Sequence, residues 1–321
     1  MLTFVARRLL MSIPVLLAAS FIIFIFVSLS GDPLAELRMN PRVSEITLSN
    51  IIERNHLDES VIVRYGYWLG DIVRGDLGTT LLGGDPIWPD LSRALGNTVQ
   101  LILLAEIVAV TLAILVGIFS AVKQYSPFDY AATAVSFVGF STPVFWFALI
   151  LQILVTNIYL NTGFRLFYTA GLNSPEYTNF WIDRLQHLAL PVIVLSFAYL
   201  ASYSRYIRGS MLEVVNADYV RTARAKGLSE RRVVYRHAFR NALIPLVTVV
   251  ALDFGALFGG AVVTESVFSL DGMGQFFLSA LFESDTNAVL AFLMVTAVLI
   301  VLFNLLADIA YGWLDPRIRY D

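Results

Sequence analysis

The chain has 321 residues, of which 57% are hydrophobic and 15% charged, and its mean hydropathy is +0.71. Soluble domains carry about 25% charged residues, so this composition excludes an ordinary soluble globular protein and predicts a polytopic membrane protein. The absence of cysteine excludes disulfides, zinc–thiolate sites and a cysteine nucleophile, and the three histidines are too scattered for a metal cluster.

Six apolar segments are long enough to cross a bilayer as helices. We expect them, in chain order, at residues 9–29, 98–122, 130–159, 187–207, 243–263 and 288–311. Arg7 and Arg8 precede the first segment, and because basic residues collect on the cytoplasmic side they place the N-terminus inside. The first segment is long enough to span, which favours an uncleaved helix over a signal peptide. The predicted fold class is therefore all-α, with six transmembrane helices and both termini cytoplasmic.

The residues between the first two spans differ in composition from the rest of the chain. Residues 30–95 hold ten acidic side chains against six arginines, which indicates a segment outside the cytoplasm. Short amphipathic helices are expected there, one capped by Ser44 and another over Val61–Val73. We predict three parts, namely an N-terminal tail with the first helix at 1–30, an extracytoplasmic helical domain at 31–95 and a core membrane domain at 96–321.

A basic loop, expected at residues 208–241, lies between the fourth and fifth spans. From residue 216 to 245 it carries seven arginine and lysine residues against two acids, which places it in the cytoplasm. A two-turn helix is expected over residues 219–226, capped at its N-terminus by Asp218 and ended by Gly227 in the left-handed conformation. Arg224 and Lys226 suit the negative end of its dipole.

This loop resembles a known family. The run YVRTARAKGL, followed by HAFRNALIP, is similar to the signature loop of ABC importer membrane subunits, in the dipeptide/oligopeptide branch. Gly227 matches the signature glycine and Ala223 its second alanine. Arg221 and Thr222 stand where the general signature has glutamate and alanine, and Pro245 comes later than the usual proline.

The segment after the first helix resembles the same branch. Gly31-Asp32-Pro33, His56-Leu57-Asp58, Tyr65, Trp68 and Gly75-Asp76-Leu77-Gly78 look like its outer segment, in the subunit that has the long first outer loop. The resemblance runs from ARRLL near the start to DPRIR near the end.

The resemblance implies a type I ABC importer permease in the cytoplasmic membrane that moves di- or oligopeptides by alternating access. It implies a second homologous permease subunit, two ATP-binding subunits or one fused ATPase inside, and a substrate-binding protein outside. ATP and Mg would be bound by those ATPases, with no cofactor in this chain. Their docking site would be a coupling helix made of Asp218, Tyr219, Val220, Arg221, Thr222, Ala223, Arg224, Ala225, Lys226, Gly227 and Leu228. Ala223 and Gly227 are expected to form the tight seat.

Motifs of catalysis are missing from the sequence. There is no G-x-x-x-x-G-K-[ST] phosphate loop and no G-x-G-x-x-G after a strand, so the chain is not expected to hydrolyse ATP. No H-E-x-x-H or serine-nucleophile motif is present either. The sequence therefore predicts a transport subunit and not an enzyme.

Two acidic residues lie in the middle of predicted spans, Glu106 in the second and Asp253 in the fifth. A central acid costs about 2.5–3.5 kcal/mol on insertion scales, so neither is expected to face lipid. Either residue could line a translocation path or be packed between helices. Small neighbours favour the path for Asp253, and we favour packing for Glu106.

Other interpretations remain open at this point. An ion-coupled secondary transporter or channel could use the same two acids as cation sites. The resembling branch also includes importers of nickel, glutathione and some oligosaccharides. The basic loop could bind anionic lipid headgroups without docking a protein.

Overall fold

The computed structural model describes residues 2–39, 43–176 and 178–314, and within these ranges every regular element is a helix. Thirteen α-helices and one π-helix, Val233–Ala238, are present there. The α-helices are α1 Leu2–Leu29, α2 Ala35–Met39, α3 Glu45–Arg54, α4 Val61–Val73, α5 Ile87–Val122, α6 Pro127–Ser141, α7 Val144–Thr162, α8 Phe180–Val215, α9 Asp218–Ala225, α10 Glu230–Arg232, α11 Phe239–Val267, α12 Met273–Phe282 and α13 Thr286–Leu314.

In the described part of the chain, five helices are both long enough and apolar enough to cross a membrane. These stretches are Val5–Leu29, Ile87–Val122, Val144–Thr162, Phe180–Val215 and Thr286–Ile309. The predicted fifth span lies in α11, where a shorter apolar stretch covers Asn241–Phe254. The all-helical, multi-pass prediction is confirmed, and the count of six spans stays a prediction.

Two spans begin well before their predicted positions. Helix α5 begins at Ile87 because Pro89 lies in its first turn, where a missing N–H costs no hydrogen bond, and Asp90 suits the positive end of the dipole. Helix α8 begins after Asn179, whose side-chain oxygen accepts hydrogen bonds from two backbone N–H groups of the first turn. Charged residues between each true start and the long apolar stretch, such as Arg93 in α5 and Arg184 in α8, therefore hid the starts of both helices.

The predicted third span is two helices, α6 and α7, separated at Thr142 and Pro143. Thr142 is extended, with ψ of 122°, because a residue before proline is driven out of the helical region. Pro143 then precedes the first residue of α7. Helix α12 lies between the fifth and sixth predicted spans, where no helix was predicted.

The described chain divides into two compact units. The first, which we call the core unit, contains Thr98–Leu270 and the described residues from Phe303 onward. The second, the outer unit, contains Leu2–Asn97 and Asp271–Leu302.

In the core unit, α5 and α8 pack closely. A Cβ on Gly117 would meet the Ile207 side chain at 2.6 Å, so only glycine permits this approach. Buried Tyr203, Ile207 and Met211 of α8 form a cluster with small residues of α5, and this cluster continues into the segment after α8. The segment predicted as a basic loop is thus folded onto the helices.

In the outer unit, α4 packs on α1. Phe24 lies 5.4 Å from Trp68 between ring centroids, and the hydroxyls of Ser20 and Tyr65 are 2.9 Å apart. Helix α4 has the predicted bounds, and Ser44 caps α3 as expected by accepting a hydrogen bond from the N–H of Thr47. Local periodicity and capping were enough to predict both helices.

Candidate functional site

The predicted coupling segment forms helix α9, and its N-terminus differs from the expectation. Ala217 precedes the helix in an extended conformation, and Asp218 is the first helical residue instead of the cap. The predicted capping role of Asp218 is therefore wrong. Its exposed carboxylate stands 3.7 Å from Arg221 and suits the positive end of the helix dipole without capping the backbone.

The C-terminus of α9 is as predicted. Gly227 has φ of +76°, and its N–H donates to the carbonyl of Arg224 at 2.9 Å. A Cβ at this position would meet nothing within 4 Å, so the requirement for glycine comes from the backbone conformation and not from crowding.

Helix α9 has an inward face and an outward face. Val220 is fully buried and Ala223 is 6% exposed, and both pack in the cluster that contains Met211 and Val233. Leu228 packs partly buried against the same cluster. The expectation that Ala223 forms part of an exposed seat is corrected, because its side chain belongs to the protein's own core.

The outward face is polar and open. We define it by its exposed members, Asp218, Tyr219, Arg221, Thr222, Ala225, Lys226 and Gly227. With two cations and one aromatic ring, this face could bind an acidic groove on another protein. Of the predicted coupling residues, those on this face are the most exposed, whereas Val220 and Ala223 are buried.

Side-chain hydrogen bonds fix α9 to the helices on both sides of it. Arg224 Nε donates to Glu230 at 2.7 Å, and its Nη1 reaches the carbonyl of Val215 at the end of α8. Asn241 Nδ2 of α11 donates to the hydroxyl of Tyr219 at 2.8 Å. Helix α9 is therefore hydrogen-bonded to both α8 and α11.

A buried ion pair connects α6 to α8. Arg208 Nε and Nη2 donate to the two carboxylate oxygens of Asp129 at 2.6 and 2.7 Å. Asp129 is 2% exposed and also accepts from the N–H of Tyr125 at 3.0 Å. The hydrogen bonds from Arg208 lower the pKa of Asp129 from its ordinary value. Sequence reasoning missed this pair, because no local pattern connects residues 79 positions apart.

The structure brings together the two acids that were predicted separately. Glu106 of α5 is 4% exposed, and neither of its carboxylate oxygens has a hydrogen-bond partner among the described residues. Asp253 of α11 is partly buried nearby, and the buried hydroxyl of Tyr203 on α8 lies close enough to interact with both carboxyl groups. We call these three residues the acidic cluster. Two carboxyls and a phenol in a low-dielectric bundle would attract a cation or an ammonium group.

Metal binding finds no support in the part of the chain that the structure describes, where no group of three or more His, Asp or Glu residues could hold an ion. His187, one of the three histidines, instead fixes the loop before α8. Its Nδ1 lies 3.0 Å from the carbonyl of Gly171, and its Nε2 lies 3.3 Å from the hydroxyl of Ser174.

Comparison with known protein families identifies the class of protein to which this chain belongs. Residues 113–320 match the family model described as "Binding-protein-dependent transport system inner membrane component". The chain belongs to this family. It is therefore a multi-pass transport subunit of the cytoplasmic membrane that works in a complex with other subunits, and it is not an enzyme. An independent ion-coupled transporter or channel is not favoured.

Full-length relatives agree with the family. The chain is 41% identical to the oligopeptide transport system permease protein AppB of Bacillus subtilis, over 100% of both chains. It is 36% identical to the dipeptide transport system permease protein DppB of Escherichia coli K12, over 100% of this chain and 99% of the relative. The crystal structure of an amino acid ABC transporter with histidines matches with a TM-score of 0.52 at 15% identity. The match covers 70% of this chain and 94% of the transporter's chain. At this identity it supports the fold alone.

Proposed function

We propose that the chain is the permease subunit of an ATP-driven importer of di- or oligopeptides, and that the outward face of α9 docks on a cytoplasmic ATPase. The observation that carries this proposal is the two-sided geometry of α9. Val220 and Ala223 make the helix part of the bundle core, while an exposed polar face is left for another protein. The peptide class follows from the named cargo of the full-length relatives.

The remaining subunits are part of the proposal. They are a second homologous permease, two ATP-binding subunits or one fused ATPase that bind ATP and Mg, and an extracytoplasmic substrate-binding protein. We place six spans in the membrane with both termini in the cytoplasm. The outer segment 31–95 then lies on the extracytoplasmic side, and the core domain 96–321 carries the path.

The contacts of α9 suggest how nucleotide binding moves the permease. Closure of the ATPases would displace α9, and Arg224 would transmit this displacement to α8 through the carbonyl of Val215. The bond from Asn241 to Tyr219 would transmit it to α11. Both helices also carry members of the acidic cluster, so the same motion would change the spacing of that cluster and alternate access across the membrane.

The acidic cluster is our proposed point on the translocation path. Glu106 and Asp253 would attract the ammonium group of a peptide, which a bilayer core otherwise excludes. The closeness of the Glu106 and Asp253 carboxyl groups supports this role, because two acids side by side in a bundle attract a cation.

Charge reversal on the outward face tests the docking proposal. The double variant Arg221→Glu/Lys226→Glu changes two exposed side chains and leaves the inward face intact. Peptide transport and retention of the co-purified ATPases should fall at least about tenfold, the effect of roughly 1.4 kcal/mol at an interface. Lys123→Glu, an exposed cation in the turn after α5, is the matched control and should behave as wild type. Equal behaviour of the two variants would reject docking through this face.

A second measurement separates the subunit proposal from independent transport. The chain reconstituted alone in liposomes should not take up peptide along an ion gradient. Gradient-driven uptake without any ATPase would overturn the importer proposal.

A further inference from the structure

The outer unit contains a cavity of about 600 Å³. Its walls come from the end of α1, from α4, from the loop around residue 77 and from the start of α13. Sites for small molecules usually measure about 300–1,000 Å³, so this one could hold a short peptide. Outer segments that resemble the peptide branch meet here, since the lining includes Gly31, Asp32, His56, Trp68, Asp76 and Gly78.

Two of the three arginines that line the cavity are already engaged. Arg38 stands 3.4 Å from the carboxylate of Asp32, within ion-pair distance. Arg54 Nη2 donates to the backbone carbonyls of Thr80 and Leu81, at 3.3 and 2.8 Å. These contacts join the walls of the cavity. Both guanidinium groups therefore already have partners within the protein.

Arg64 is different. It is partly buried on α4, and its guanidinium carbon lies 5.9 Å from the centre of the Phe24 ring. Within the described ranges, no carboxylate or carbonyl bonds to it. Burial lowers the pKa of this guanidinium from its ordinary value, which reflects the loss of water around a cation. The planar fork of N–H donors fits a carboxylate in a bidentate manner.

None of the three acids that line the cavity forms an ion pair with this arginine, and Asp32 is already paired with Arg38. Asp71 stands 3.6 Å from Arg74, and Asp76 accepts a hydrogen bond from the N–H of Gly78 at 2.8 Å. The walls beside Arg64 are aromatic, since Phe24 and Trp68 both line the cavity. The cavity therefore combines one unmatched cation with apolar rings, a pairing that suits a small organic carboxylate.

We propose that this cavity binds the terminal carboxylate of a short peptide, with Arg64 as the bidentate donor and the rings of Phe24 and Trp68 as walls for the apolar part. The inference rests on the proposed function for its substrate class, and it adds a carboxylate subsite distinct from the acidic cluster. A peptide leaving its binding protein would be received at this point.

Equilibrium binding to the assembled transporter tests the proposal. The permease is purified with its partner subunits in lipid nanodiscs and without the binding protein. Dialanine should bind about tenfold more tightly than dialanine amide, because the amide lacks the anion that Arg64 recognises. Arg64→Gln should remove this preference, and Arg64→Lys should keep part of it through charge alone. Arg93→Gln, an exposed arginine whose partners Asp90 and Asp271 lie outside the cavity lining, is the control and should retain the full preference.

Several outcomes would overturn the inference. Equal binding of dialanine and its amide to the wild-type assembly would overturn it. This comparison uses no variant, so misfolding of a variant cannot affect it. Unchanged selectivity in Arg64→Gln would also overturn the inference. If a soluble short-chain phosphatidylglycerol is retained through Arg64 and dialanine is not, the oxyanion is a lipid headgroup and the proposal fails. A failure of the proposed function would appear separately, as no peptide transport by the complete wild-type system.

Discussion

Two acids of the core unit, Asp129 and Glu106, are buried to nearly the same degree but have different surroundings. Asp129 is 2% exposed, and both of its oxygens accept hydrogen bonds from Arg208. Glu106 is 4% exposed, and neither of its oxygens has a hydrogen-bond partner in the described part of the chain. Burial alone therefore does not distinguish the two acids, whereas their hydrogen-bond partners do.

The difference has an energetic consequence. A buried ion pair is costly to break, because the remaining charge loses its partner in a medium of low dielectric constant. A buried acid without a partner contributes no such attraction and persists at a cost to folding. We interpret Asp129 as an anchor between α6 and α8, and Glu106 as an acid retained for contact with a passing cation.

The largest effect is expected at the anchor. Asp129→Ala leaves Arg208 unpaired and should lower the free energy of unfolding by about 3 kcal/mol, at the low end for buried pairs because the Arg208 side chain is 27% exposed. Denaturant unfolding in detergent micelles measures this loss. The double variant Asp129→Leu/Arg208→Met should recover most of the stability, since it removes both charges. A single variant as stable as the wild type would contradict the anchor role.

The pH dependence of this pair has a defined sign. Because Arg208 lowers the pKa of Asp129 in the folded state, the stabilisation is fully present above the ordinary aspartate pKa of about 3.9. It is lost as the pH falls through the lower folded value. The stability difference between wild type and Asp129→Ala should therefore disappear only in strong acid.

The opposite behaviour is expected at Glu106. Glu106→Gln keeps the shape and removes the charge, so the free energy of unfolding should stay unchanged or rise by up to about 1 kcal/mol. Peptide transport should fall in the same variant if the carboxylate attracts the substrate's ammonium group. The unfolding titration described for Asp129→Ala measures the stability of Glu106→Gln. Uptake into proteoliposomes measures its transport. A loss of stability as large as that of Asp129→Ala would remove the distinction between the two acids.

Sequence reasoning succeeded where the signal is local. The bounds of α4, the cap at Ser44 and the left-handed Gly227 all follow from spacing and residue type within one or two turns. It failed where the partner is distant in sequence, as for Asp129 and Arg208. No pattern within a turn or two can indicate an ion pair between different helices.

The prediction for Ala223 was wrong for another reason. Val220 and Ala223 are apolar and three residues apart on a mostly polar helix, and that spacing predicts a face turned toward the protein. The resemblance to a family signature led us to place Ala223 on the contact surface instead. A bulky substitution at this position would therefore disturb the core, and it cannot serve as a clean test of docking.

The smallest effect is expected at Tyr203, whose hydroxyl is buried close to both acids of the cluster but has no hydrogen-bond partner among the described residues. Tyr203→Phe keeps the packed ring and removes only this hydroxyl, so the free energy of unfolding should change by less than about 0.5 kcal/mol. The unfolding titration used for the two acids applies, with Tyr130→Phe at an exposed position of α6 as the control. A loss of about 1 kcal/mol or more would mean that the hydroxyl bonds a carboxylate. Glu106 would then have a hydrogen-bond partner, as Asp129 has. A structural role would then be enough to explain why an acid is present at this position.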